Sequence, residues 1–182
     1  VPLALWVGAA PYGVQLSGGK VAVAGIYNAS VLSYYAVVGS GLGGRIEFAP
    51  LLSAELDNVG IEINGFGGTS TGVIDWTSAV DTDAELPFGA KAVYAGSTLI
   101  ELTTDRTLLR GEIVHLPILG LVEGTADFAA TWQLVDLDLD GNGTTTGDQL
   151  IGARLTTFAL TNLNLSVGAG GYGLNIGSGA TG

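Results

Sequence analysis

The chain has 182 residues, 47% of them apolar and only 13% charged, with 6 basic against 17 acidic side chains and a formal charge of -11. That length supports one core and requires no second domain, and so large an apolar share excludes a disordered chain. An acidic surface repels nucleic acid and anionic membranes, whereas acidic loops suit hard divalent cations.

No cysteine occurs, so a disulfide framework and thiolate metal sites are excluded, and with a single histidine zinc would have only carboxylates to complete its shell. No apolar run reaches the roughly 18 residues of a membrane-spanning helix. Leu116 to Val122, one apolar run, is far too short and carries Pro117 and Gly120. The chain starts Val1-Pro2 rather than with Met, which is read as removal of a leader and an extracellular or cell-surface destination.

In chain order, the first segment, VPLALWV, is apolar on both parities: Leu3, Leu5 and Val7 on one, Ala4 and Trp6 on the other. A strand of that kind must be buried between two layers, either in its own domain or donated to a neighbouring copy by strand addition. Residues 1–10 are therefore set apart from a domain spanning 11–182.

Short stretches rich in β-branched and aromatic residues and bounded by turn formers follow at Lys20 to Asn28, Val31 to Val38, Gly44 to Pro50, Val59 to Ile63, Gly72 to Trp76, Ala92 to Leu102 and Gly111 to Ile118. Strands at that spacing predict an all-β fold with little helix, a single antiparallel β-sandwich of jelly-roll or immunoglobulin-like kind. Pro50 to Asn58 is read as two helical turns opened by proline, and Asn64-Gly65 as a hairpin turn.

Two longer alternating segments, Thr125 to Leu139 and Gln149 to Val167, predict one long hairpin. Its loop contains Asp138-Leu139-Asp140-Gly141-Asn142-Gly143-Thr144. Oxygen side chains at the first, third and fifth places, glycine at the sixth and a carbonyl at the seventh, from Thr144, converge on one calcium ion in loops of this spacing. The twelfth place holds Gln149 instead of a bidentate acid, so Asp148, or Asp136 from the entering strand, would complete the shell. The plain alternative is a solvated acidic turn built on Asp140-Gly141 and Asn142-Gly143. A second acidic group, Asp75, Asp81, Asp83 and Glu85, lacks the glycine that bends such a loop and reads as surface.

Catalytic signals are weak. Gly39 to Gly44 matches a dinucleotide fingerprint but is followed by strand-like RIEFAP and then Pro50, so a glycine-rich turn is the better reading. His115 lies on alternating strand sequence with no nucleophile elbow to accompany it, and the chain is read as having no enzymatic role. Sequons at Asn28, Asn142 and Asn164 fit a secreted glycoprotein, although Asn142 cannot easily serve both a glycan and an ion.

In composition and layout the chain resembles the secreted β-sandwich filament subunits of prokaryotes, the TasA/camelysin-like biofilm fibre proteins and archaeal bundling pili. The loop at Asp138 to Thr144 separately resembles a dockerin or EF-hand-type calcium half-site. These resemblances imply a structural subunit of a fibre or pilus that polymerises with copies of itself by donor-strand complementation through Leu3, Leu5 and Val7. Calcium would stiffen the hairpin, and neither nucleic acid nor membrane insertion would be involved. Two other readings stay open. Eight strands fit about 180 residues of a small outer-membrane β-barrel. A secreted carbohydrate-binding domain would need a cleft with Trp76 or Trp132.

Overall fold

The structure, a computed structural model, describes residues 4–9, 12–48, 52–83, 87–117, 122–139, 149–169 and 172–177. Eight strands form one antiparallel sheet in which every neighbour in space is the next strand of that sheet along the chain. They are β1 (Ala4–Ala9), β2 (Tyr12–Asn28), β3 (Val31–Phe48), β4 (Leu52–Phe66), β7 (Arg106–His115), β8 (Val122–Asp138), β9 (Gln149–Ala169) and β10 (Tyr172–Gly177). The excursion between β4 and β7 carries a separate hairpin, β5 (Val93–Ala95) and β6 (Thr98–Ile100).

The all-β expectation is met, with no helix among the described residues. The sandwich is not confirmed: among the described residues the second sheet has only two strands, too few to form a second β-layer over most of the large sheet. Of the segment read as helical, Pro50 to Asn58, residues 52–58 belong to β4, while Pro50 and Leu51 lie outside the described residues. There Ala54 and Leu56 are buried while Ser53, Glu55 and Asp57 are exposed, a period of two that overrides the proline signal. Asn64-Gly65 lies inside β4 and makes no turn, Gly72 to Trp76 is not a strand, and Ala92 to Leu102 is split into β5 and β6 at Gly96.

Gly39 to Gly44 is likewise no turn but part of the 18-residue β3, which joins two stretches that alternate separately in sequence. A row of left-handed residues crosses the sheet here: Gly18 and Gly19 in β2, Gly41 in β3 and Asn58 in β4. The row resets which side chains face which way. Before it, Val14 and Leu16 of β2 join Leu42 and Ile46 of β3 in a core with Leu56, Val59, Ile113 and Phe128. Beyond it, Ala22, Ala24 and Ile26 join Tyr34, Ala36 and Val38 in a second core that includes Trp76, Ile100 and Leu102.

The two cores lie on opposite faces. Ile61 packs on the first core and pairs with Gly39, which pairs with Val21, so beyond the row the odd residues of β2 hold that face and the even ones the other. We call the two sides the core face and the insertion face, the latter being covered by residues between β4 and β7.

The insertion is fastened by one buried side chain. The Asn64 carboxamide donates to the carbonyls of Ile74 (3.0 Å) and Thr104 (3.2 Å), near the two ends of the insertion, and its Oδ1 accepts from Trp76 Nε1 at 2.9 Å. Small residues opposite, Ala22 and Ala36, leave room for the indole, which is 1% exposed.

At the other end of the long strands, β2 turns into β3 through Ala29 and Ser30, with φ of 47° and 70°. Positive φ at both central residues is the mirror-image hairpin turn that suits strand twist, but it strains any residue with a Cβ. Ala29→Asn combined with Ser30→Gly is therefore expected to raise the unfolding free energy by about 1 kcal/mol. Urea denaturation at unchanged m value checks this.

Candidate interaction surface

Asp136 and Asp138 lie on β8, and Asp138 pairs in register with Gln149 at the mouth of the β8–β9 hairpin. The long hairpin around the acidic loop is thus present. Asp136 Oδ1 accepts from the Gly152 amide at 2.9 Å, across the hairpin, where Gly152 takes φ of 68°. Its carboxylate helps hold the register shift between Val135 and Leu137. Asp140, Asn142, Thr144 and Asp148 lie outside the described residues, so the fit of this loop to calcium rests on their spacing in sequence. Among the described residues no group of three or more acidic or histidine side chains converges on a common point.

In the second acidic group, Asp75, Asp81 and Asp83 hold the insertion's own turns together, and Glu85 lies outside the described residues. Asp75 Oδ1 accepts from the Thr77 hydroxyl (2.6 Å) and the Thr77 amide (2.8 Å), closing the turn that presents Trp76. Asp81 accepts from the amides of Asp83 and Gly89, and Asp83 forms an ion pair with Lys91 at 3.1 Å. The Thr77 hydroxyl bond, followed by the other bonds from Thr77 and Ser78, holds the Asp75 carboxyl below its ordinary value of 3.8. A depressed folded-state value means that this contribution is complete above the unfolded value and disappears as pH falls through the folded one. Loosening of the insertion below about pH 4 should therefore be weaker in Asp75→Asn than in the parent chain. Trp fluorescence across an acid titration reads it.

The remaining predicted positions scatter. Asn28 sits exposed at the tip of the β2–β3 hairpin, whereas Asn164 lies inside the sheet, opposite Thr125 on one side and Gly177 on the other. Leu5 and Val7 fall on β1, which pairs with residues 12–17 of its own chain, from Ala4↔Ser17 to Ala9↔Tyr12. This is the retained arrangement. Leu3 lies outside the described residues. His115 ends β7, exposed, opposite Glu55. Trp132 is half-buried beside Tyr35, Phe66 and Arg154 around a shallow concavity in which Asp105 is the one carboxylate among the described lining residues.

What sequence reading missed is the state of β9 and β10. β9 is 21 residues long, about 70 Å at the rise of a strand, and it is exposed along nearly its whole length. Its side chains nevertheless alternate. Phe158 and Leu160 pair with Ala130 and Phe128, on the core face, while Thr157 and Thr161 pair with Thr131 and Asp127 on the other. A strand with one apolar and one polar side is the pattern of a half-buried sheet. Here the apolar side is open: Phe128 is 7% exposed, but its direct partner Leu160 is 44% exposed and Phe158 is 65% exposed. The alternation had been readable. What could not be read was that no other element among the described residues covers it.

The apolar face continues to the edge. Val122 pairs with Val167 and Val167 with Leu174, while Leu165 pairs with Ile176. Leu174 is 63% and Ile176 50% exposed. Contiguous exposed apolar surface rimmed by polar residues marks a contact site in a soluble protein. No family model, curated protein or solved structure matches this chain.

Proposed function

We propose that the chain is a structural subunit of an extracellular assembly, a fibre or pilus-like polymer built from copies of itself. The observation that carries this reading is the apolar side of β9 and β10, which is patterned for burial and exposed in the single chain. A mechanical role also suits long strands joined in one continuous antiparallel sheet, whose hydrogen bonds lie across the strands.

Two elements of the proposal rest on sequence. One is donation of the N-terminal strand through Leu3, Leu5 and Val7, which would require the β1–β2 hairpin to open and β1 to re-pair with a neighbour. The other is calcium in the loop between β8 and β9, held by Asp138, Asp140, Asn142 and the Thr144 carbonyl, with Asp136 or Asp148 completing the shell. The ion would tie together carboxylates that otherwise repel one another. Calcium at 100 times its dissociation constant should then stabilise the fold by about 2.7 kcal/mol. Asp138→Asn with Asp140→Asn should abolish that gain in a thermal melt.

Negative-stain microscopy tests the whole reading, on the chain with and without residues 1–10, in calcium and in chelator. Regular fibres support assembly, and their dependence on the first ten residues supports strand donation. Monodisperse monomers under all conditions would overturn it.

One observation favours a second reading. Eight antiparallel strands in sequential order are also the connectivity of a small up-and-down membrane barrel. Against it, the core face from β2 to β8 is packed with Leu, Ile, Val and Phe, whereas a barrel of that kind has a polar interior. Solubility of the purified chain without detergent separates the two.

A further inference from the structure

We infer that the core face of β9 and β10 is the contact with a second copy of this chain, the two copies stacking these strands face to face about a twofold axis. The inference rests on the assembly reading and names one contact within it: a twofold contact closes at two copies, so strand donation would still carry the polymer. Two copies, each contributing one face, would then form a sandwich.

Three observations support this occupant. The first is continuity: through the register pairs Phe128↔Leu160 and Val122↔Val167 the open face is an extension of the buried core, and its burial stops at the β8–β9 boundary. Sheets stack face to face about 10 Å apart when both present such a side.

The second is charge. From residue 155 to residue 177 there is no charged side chain, in a chain carrying -11. A basic partner would be drawn to the acidic remainder, and two acidic copies would be repelled there. Two copies can approach without repulsion along this neutral stretch.

The third is area. Residues 155–169 of β9 run roughly 50 Å and β10 lies beside them for six residues, roughly 20 Å, so the open face covers roughly 340 Å² per copy at strand spacings. The whole chain exposes 11580 Å², against roughly 8,200 Å² for a compact monomer of 18.4 kDa. The single chain has surface to lose.

Sedimentation velocity and light scattering across a concentration series test the inference with three proteins: the parent chain, Leu160→Glu and, as control, Val23→Glu. Val23 is 61% exposed on β2, on the same face but with β3, β4, β7 and β8 between it and β9, so it carries the same new charge outside the proposed contact. The expected result is association of the parent and of the control, and at least a 100-fold weaker association of Leu160→Glu. A parent that stays monomeric overturns both this inference and the assembly reading. Equal association of all three, or equal loss in both variants, overturns the surface assignment alone and leaves assembly standing.

Hydrogen exchange on the unmodified chain gives an answer even if Leu160→Glu does not fold. Amides of residues 172–177 at the edge should lose protection on dilution to the monomer, and exchange independent of concentration overturns the inference. Association that appears only on addition of detergent or lipid vesicles also overturns it, because the face would then be covered by acyl chains.

Discussion

Trp76→Ala should destabilise the fold by about 3–5 kcal/mol, the largest effect expected of any single substitution in the chain. The indole fills the insertion-face core against Ala22, Ala36, Ile100 and Leu102, and nothing adjacent can collapse into its place. The change also leaves Asn64 Oδ1 without the donor 2.9 Å away. Trp76→Phe separates the two effects, since it keeps most of the volume and orphans the same oxygen, at a cost of about 1–3 kcal/mol. Urea denaturation followed by circular dichroism measures both. A Trp76→Ala chain that unfolds at the parent midpoint would mean that residues 67–105 are not docked on the sheet.

Leu42→Ala is expected to cost about 2–5 kcal/mol through the other core. Leu42 is 1% exposed and lies beside the glycine row, between Leu16 of β2 and Val59 of β4. Its contrast is Leu160→Ala, the same deletion on the same face, where the side chain is already 44% exposed. In the monomer that change should cost far less than Leu42→Ala, and its loss should appear in the concentration dependence of stability instead. Melting temperatures of both variants at two protein concentrations decide the matter. If Leu160→Ala proves as costly as Leu42→Ala in dilute monomer, β9 is covered by its own chain.

Much of the fold was legible because period-two patterning is local. The hairpin of β8 and β9, for example, follows from alternation on both sides of an acidic glycine-rich loop. The helix expected at Pro50 to Asn58 failed for a local reason too: the proline signal is weak, whereas Ala54 and Leu56 alternate with Ser53, Glu55 and Asp57 as a strand requires. Gly39 to Gly44 was harder. A run of glycines at a strand end and one inside a strand look the same in sequence, and only the neighbouring strands, with Gly18 and Gly19 beside Gly41, hold the segment extended.

Of the candidate sites, the carboxylates of Asp75, Asp81 and Asp83 were visible as a group, but the use of Asp75 and Asp81 to tie down backbone amides, and of Asp83 to pair with Lys91, depends on turns that form once the insertion docks. Asn64 was misread as a turn residue because its partners, Trp76, Ile74 and Thr104, lie 10 to 40 residues away.

By itself the sequence determined that the chain is all β, that it holds an apolar core under an acidic surface, and that its hydrophobic side chains alternate along the strands. Those are properties of composition and of neighbours two residues apart. Tertiary structure decided which face each side chain takes, because left-handed residues at Gly18, Gly19, Gly41 and Asn58 reset the alternation. It also decided which apolar sides are covered. Ala22 and Phe158 both alternate as if buried, yet one lies under Trp76 and the other faces solvent. Alternation says that a side needs cover, while the segment that supplies it lies far along the chain, or in another copy.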